Sequence, residues 1–79
     1  MKRILVIEDN VEVRENLTEI LELYGYSVEE AVNGKDGVEK ALAAPPDLIL
    51  CDVMMPELDG YGVLKILRRH NHLILVMAS

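Results

Sequence analysis

Aromatic side chains are nearly missing from this sequence: there is no Trp, no Phe and only three Tyr. A core must therefore be built from Ile, Leu, Val, Met and Ala. A single cysteine, Cys51, excludes a disulfide within the chain and suits a reducing cytosol. Basic residues are in deficit, 8 against 14 acidic ones, for a net charge of −6. Neutralising nucleic-acid phosphates needs a Lys/Arg surface, so this chain is not expected to bind nucleic acid. Long apolar runs are also absent. The longest, Leu73 to Ala78, falls far short of the roughly 20 residues of a membrane span. Ile4 to Ile7 is too short for a secretion signal and is ended by Glu8-Asp9. These absences together predict a cytoplasmic chain with no membrane contact.

What is present is a packed-protein composition, 51% hydrophobic with a mean hydropathy of +0.17, which argues against disorder. The 79 residues form one domain at most. A domain of this size buries only about 60% of the surface its unfolded chain exposes.

The apolar pattern alternates between two periods. Ile4-Leu5-Val6-Ile7 is a short, β-branched, wholly apolar run, as expected of a buried parallel strand. From Val11 the period becomes helical, with Val13, Leu17, Ile20, Leu21 and Tyr24 in phase, and Glu12, Glu15, Glu19 and Glu22 forming part of a solvated acidic surface. Asn10 is placed to cap this helix and Gly25 to end it. Tyr26 to Ala31 reads as a second, more polar strand at a sheet edge, followed by a loop at Asn33-Gly34. Val38, Ala41 and Leu42 mark a short helix that Pro45-Pro46 must stop. Leu48-Ile49-Leu50-Cys51 is another buried-strand run, ending at Asp52. Turns at Met55-Pro56 and Asp59-Gly60 lead to a third helix marked by Val63, Leu64, Ile66 and Leu67, and Leu73 to Met77 is the last strand. The order βαβαβαβ predicts an α/β fold with right-handed crossovers and helices on both faces of a parallel sheet.

In such sheets ligands bind outside the carboxyl ends of the strands. Glu8 and Asp9 end the first strand and Asp52 ends the third, so three carboxylates are expected to converge. Crowded carboxylates do not all ionise cheaply, and a hard divalent cation relieves them. Mg²⁺, which accepts one or two carboxylates, waters and a phosphate oxygen, suits such a site. Each acid alone reads equally well as a turn or capping residue; only jointly do they point to chemistry.

These segments resemble a known family. Ile4-Leu5-Val6-Ile7-Glu8-Asp9-Asn10 is similar to the opening of a response-regulator receiver domain, and Leu48-Ile49-Leu50-Cys51-Asp52-Val53-Met54-Met55-Pro56-Glu57-Leu58-Asp59-Gly60 to that family's phosphoacceptor signature. The Gly25-Tyr26 turn and the Asn33-Gly34 loop fit the same pattern, and the resemblance runs through Arg68. It implies a flavodoxin-like doubly wound parallel sheet of strand order 2-1-3-4. It also implies that Asp52 accepts a phosphoryl group from a sensor histidine kinase or phosphotransfer protein. Glu8, Asp9, Asp52 and the backbone carbonyl of Met54 would hold Mg²⁺, Asp9 directly and Glu8 largely through water. The module would be a signalling switch and not an enzyme beyond its own phosphoryl transfer.

Departures from the family pattern accompany the match. The residues 1–79 are expected to be a single truncated receiver, lacking the last helix-strand-helix and the fifth-strand Lys that contacts the phosphoryl group. Lys35, Lys40 and Lys65, on predicted helices away from the strand ends, do not replace it by motif. A hydroxyl normally ends the fourth strand; here either Ser79 fills that role one place late or Ala78 occupies it and the hydroxyl is missing. The uncovered fourth strand would form a flat apolar edge of the kind that pairs with other chains. Self-association through that edge or through a swapped element is therefore expected.

Other features have plainer explanations. Cys51 reads as a buried structural thiol, not a redox handle. Met54 and Met55 read as loop-shaping and core-filling residues. His70 and His72 lack a third ligand for a metal. Gly60-Tyr61-Gly62 lacks the third glycine of a dinucleotide fingerprint. Arg68-Arg69-His70 matches a helix C-terminus. Two functions outside the switch remain: a receiver-derived fragment that folds by assembling with itself, and an aspartate-nucleophile hydrolase. The hydrolase is disfavoured because Asp52-Val53-Met54 lacks that family's second Asp.

Overall fold

The computed structural model describes residues 2–52, 65 and 74–77; for Asp52 and residues 74–77 only the backbone is described. The described elements are β1 (Arg3–Ile7), α1 (Val11–Leu23), β2 (Ser27–Ala31), α2 (Gly34–Ala43), β3 (Leu48–Asp52) and β4 (Ile74–Met77). All strand pairs are parallel, and the sheet order is β2-β1-β3-β4. This is the α/β architecture and the strand order expected from the sequence, with the polar β2 at an edge. Of the expected third helix only Lys65 is described, helical and exposed; Val63, Leu64, Ile66 and Leu67, the turns at residues 55–60, His70 and His72 fall outside the described residues.

Strand periodicity divides β1 between two cores. Leu5 and Ile7 face one side, where they join Ala31, Ala41, Ile49 and Cys51, with Val38 of α2 packed against them. Ile4 and Val6 face the other side with Leu50, where Leu17 and Leu21 of α1 and Val28 and Leu48 close over them. The two helices thus cover opposite faces, which a doubly wound sheet requires. Each fully buried Leu or Ile here contributes on the order of 1.5–3 kcal/mol.

The apolar stripe of α1 is wider than the sheet beneath it. Leu17 and Leu21 pack inward, whereas Ile20 and Tyr24 are 51% and 79% exposed, and no residue of α1 is fully buried. Beside Leu21 of this helix lies a cleft of about 360 Å³, lined mainly by Ile4, Leu21, Tyr26, Leu48 and Leu50, with Lys2 and Asp47 also in its wall.

The helix ends follow local chemistry. The Asn10 side chain accepts a hydrogen bond from the Val13 N–H at 3.1 Å. Beyond the other end, Gly25 takes a left-handed φ of 90°, and its N–H reaches the Glu22 carbonyl. The loop expected at Asn33-Gly34 is instead the start of α2. Asn33 is its N-cap, accepting from the Asp36 N–H at 2.8 Å, and Gly34 is its first helical residue. Pro45 and Pro46 lie just past the Ala44 cap, where the helix was expected to stop. Among the described residues no helix is long and apolar enough to cross a membrane.

Candidate functional site at the carboxyl rim of the sheet

The register of β1 and β3 builds the site. Ile7 lies opposite Cys51 in a parallel pairing, so the chain leaves both strands on the same rim. Glu8 and Asp9 follow directly from β1, and Asp52 is the last residue of β3. The backbone of all three acidic residues therefore lies at one rim of the sheet, the placement from which the sequence reading started. Met77, the last residue of β4, lies opposite Asp52, so β4 also ends at this rim. Met54 and Ser79 are outside the described residues, as is the side chain of Asp52.

Glu8 and Asp9 sit in different environments. Glu8 is 3% exposed and is the buried charged residue of the described core, whereas Asp9 is exposed. The Glu8 N–H donates to the Ala31 carbonyl at 3.1 Å, extending the pairing of β1 with β2 by one bond. The Glu8 carbonyl accepts from Arg14 Nη1 at 2.8 Å. Asp9 lies between this fixed residue and the Asn10 cap. Among the described residues, no group of three or more His, Cys, Asp or Glu side chains is placed to hold a metal.

Two basic residues near the rim have contacts that the sequence pattern did not disclose. Arg14, on the first turn of α1, joins the end of β1 to Glu30 of β2, with its Nε 3.4 Å from Glu30 Oε1. Lys40, expected away from the strand ends, donates to the Glu30 carbonyl at 2.6 Å and pairs with Asp36 at 3.2 Å. Its ammonium is thus one residue short of the end of β2, on the α2 side. Both residues lie on helices, and spacing alone gives no signal of which strand their long side chains reach.

Comparison with known proteins agrees with this geometry. Residues 4–79 match the family model of the response regulator receiver domain. The chain is 38% identical over 78 residues to a probable transcriptional regulator, ycf27, of Cyanophora paradoxa. It is 42% identical over 78 residues to a protein-glutamate methylesterase/protein-glutamine glutaminase of Archaeoglobus fulgidus. These alignments take in 99% and 98% of this chain but only 33% and 22% of those proteins, so it spans a third or less of their length. Among solved structures, the response regulator TrrA of Thermotoga maritima, in complex with Mg²⁺ and BeF, superposes with a TM-score of 0.95 at 34% identity. That match covers 99% of this chain and 70% of TrrA. A parallel sheet of order β2-β1-β3-β4, an acidic carboxyl rim and a family match over nearly the whole chain lead to one assignment: this chain belongs to the response-regulator receiver domain family.

Proposed function

We propose that residues 1–79 act as a single receiver unit of a cytoplasmic two-component pathway, with Asp52 accepting a phosphoryl group from a sensor histidine kinase or phosphotransfer protein. The observation that carries this reading is the parallel pairing of Ile7 with Cys51, which sends Glu8, Asp9 and Asp52 to one rim. The donor set suits Mg²⁺: carboxylate oxygens are hard ligands, and this ion takes one or two carboxylates together with waters and a phosphate oxygen. Glu8, Asp9, Asp52 and the Met54 carbonyl would hold the ion. When bound it would neutralise charge on the phosphoryl oxygens.

In the transfer itself, an Asp52 carboxylate oxygen attacks phosphorus. The bond from phosphorus to the imidazole nitrogen of the donor breaks, its electron pair stays on the imidazole, and an acyl phosphate forms on Asp52. Glu8 and Asp9 would hold the ion that faces the incoming phosphoryl group, and Ser79 is the candidate in the sequence for a hydroxyl that senses the product. The exposed Val11 and Val13, in the first turn of α1 after Asn10, offer a partner an apolar surface near the acid pair.

A second reading is favoured by β4 forming the outer strand of the described sheet, and by the apolar exposure of α1. In it the chain assembles with itself through the β4 edge or an exchanged element, and phosphorylation is vestigial. One experiment separates the two. Beryllofluoride binding followed by fluorine NMR is expected to require Mg²⁺ and to vanish in Asp52→Asn. No binding by the wild-type chain, together with an oligomer in sedimentation velocity, would favour the second reading instead.

A further inference from the structure

The geometry points to Arg14 as the positioning residue of the acidic rim, an inference that rests on the Mg²⁺-binding reading of Glu8 and Asp9. Pairing of β1 with β3 ends at Ile7 and Cys51, so the Glu8 carbonyl lies one step past the ladder. Glu8 is buried, and a buried carbonyl needs a donor from the protein. Arg14 supplies it at 2.8 Å.

The guanidinium does more than satisfy that oxygen. Its side chain is only 12% exposed, and its Nε faces Glu30 Oε1 on β2, so one planar group ties α1 to both strands. The backbone of Arg14 is itself fixed, its N–H donating to the Asn10 carbonyl at 2.9 Å. Glu8 is consequently held on both sides, its N–H by Ala31 and its C=O by Arg14. The Glu8–Asp9 peptide is planar, so fixing its carbonyl also fixes the plane from which the Asp9 side chain departs. Arg14 touches neither the expected metal position nor Asp52 in any described contact; it acts through the peptide that carries Asp9.

A fork is needed for this, and a point charge does not replace it. Lysine keeps the charge but cannot hold a carbonyl and a carboxylate in one fixed plane. Removing groups that orient metal ligands typically weakens metal binding about 10–100-fold.

The test is calorimetric titration of the 79-residue chain with Mg²⁺, for wild type, Arg14→Ala, Arg14→Lys, Glu30→Gln and Asp52→Asn. Circular dichroism establishes that each variant is folded. Arg14→Ala is expected to weaken Mg²⁺ binding by about 10-fold or more. Arg14→Lys should recover only part of that loss, and Glu30→Gln, which leaves the bond to Glu8 in place, should lose less. Without metal, hydrogen exchange at the Glu8 amide, which donates to the Ala31 carbonyl, should quicken in Arg14→Ala more than exchange within β2 does. Wild-type affinity in folded Arg14→Ala, or full recovery in Arg14→Lys, overturns the positioning role. In that case wild-type binding that is lost in Asp52→Asn leaves the reading of the site standing. Failure of the wild-type chain to bind Mg²⁺ overturns both. Should Arg14→Ala not fold, Arg14→Lys and Glu30→Gln decide the matter by the same criteria.

Discussion

Gly37 of α2 rests directly on Ile7 of β1: a Cβ built on the glycine would meet the Ile7 side chain, lying 2.7 Å from its Cγ1 and closer still to its Cδ1. The helix can approach β1 this closely only because that position has no side chain. Gly37→Ala should therefore destabilise the chain by about 1–3 kcal/mol through overpacking. That loss opposes the roughly 1 kcal/mol that alanine ordinarily gains over glycine inside a helix. Urea unfolding is the measurement, and a lower midpoint at unchanged slope is the expected result. Trimming the partner in Gly37→Ala/Ile7→Val should recover part of the loss, since the two sites are in contact and are not additive.

Much of this fold could be read from local pattern. Ile4 to Ile7 and Leu48 to Cys51 stand out because a strand buried on both faces must be apolar throughout. Asn10 and Gly25 stand out because capping is chemistry between near neighbours. Gly34 was misleading for a physical reason: asparagine followed by glycine is an ordinary turn signal, and here the capping bond from Asp36 to Asn33 turned the same pair into a helix start. The rim position of Glu8, Asp9 and Asp52 followed from strand ends alone, since parallel strands direct all their carboxyl ends one way. The contacts of Arg14, Lys40 and Gly37 did not follow. They depend on how far each helix is displaced over the sheet, a quantity that periodicity does not encode. The apolar stripe of α1 was visible, but not that the sheet would cover Leu17 and Leu21 and leave Ile20 and Tyr24 outside.

Cys51 gives a chemical probe of the core face that Gly37 and Ile7 help to close. It is fully buried on β3, in the same cluster as Ile7, Ala41 and Ile49. Thiol reagents need an exposed thiolate, so reaction must wait for an opening of this core. With an opening free energy of about 3 kcal/mol, the native thiol should react roughly 100-fold more slowly than in the urea-unfolded chain. Gly37→Ala should accelerate it about tenfold for each 1.4 kcal/mol of stability lost. Rapid labelling of the native chain would mean that the α2 face opens without global unfolding.

At the opposite rim, Arg3 fastens the start of β1 to the segment that enters β3. Its guanidinium donates to the Pro45 carbonyl at 3.1 Å and to the Ala44 carbonyl at 3.2 Å, just past the end of α2. Its backbone N–H meets Asp47 Oδ2 and its carbonyl receives the Asp47 N–H, both at 2.8 Å. The Glu29 carboxylate lies farther off, 3.8 Å away, with both side chains substantially exposed. Two sources of stability therefore compete, bonds to carbonyls and a surface ion pair, and salt distinguishes them. The carbonyl bonds are worth about 1 kcal/mol or slightly more and respond little to ionic strength, whereas an exposed ion pair is screened. Arg3→Ala should lower the unfolding midpoint by a similar amount in dilute buffer and in molar salt. Arg3→Lys should recover little, because one ammonium does not reproduce a fork that spans two carbonyls. A cost that disappears at high salt would assign the effect to Glu29 and remove the clasp at the α2–β3 turn as its source.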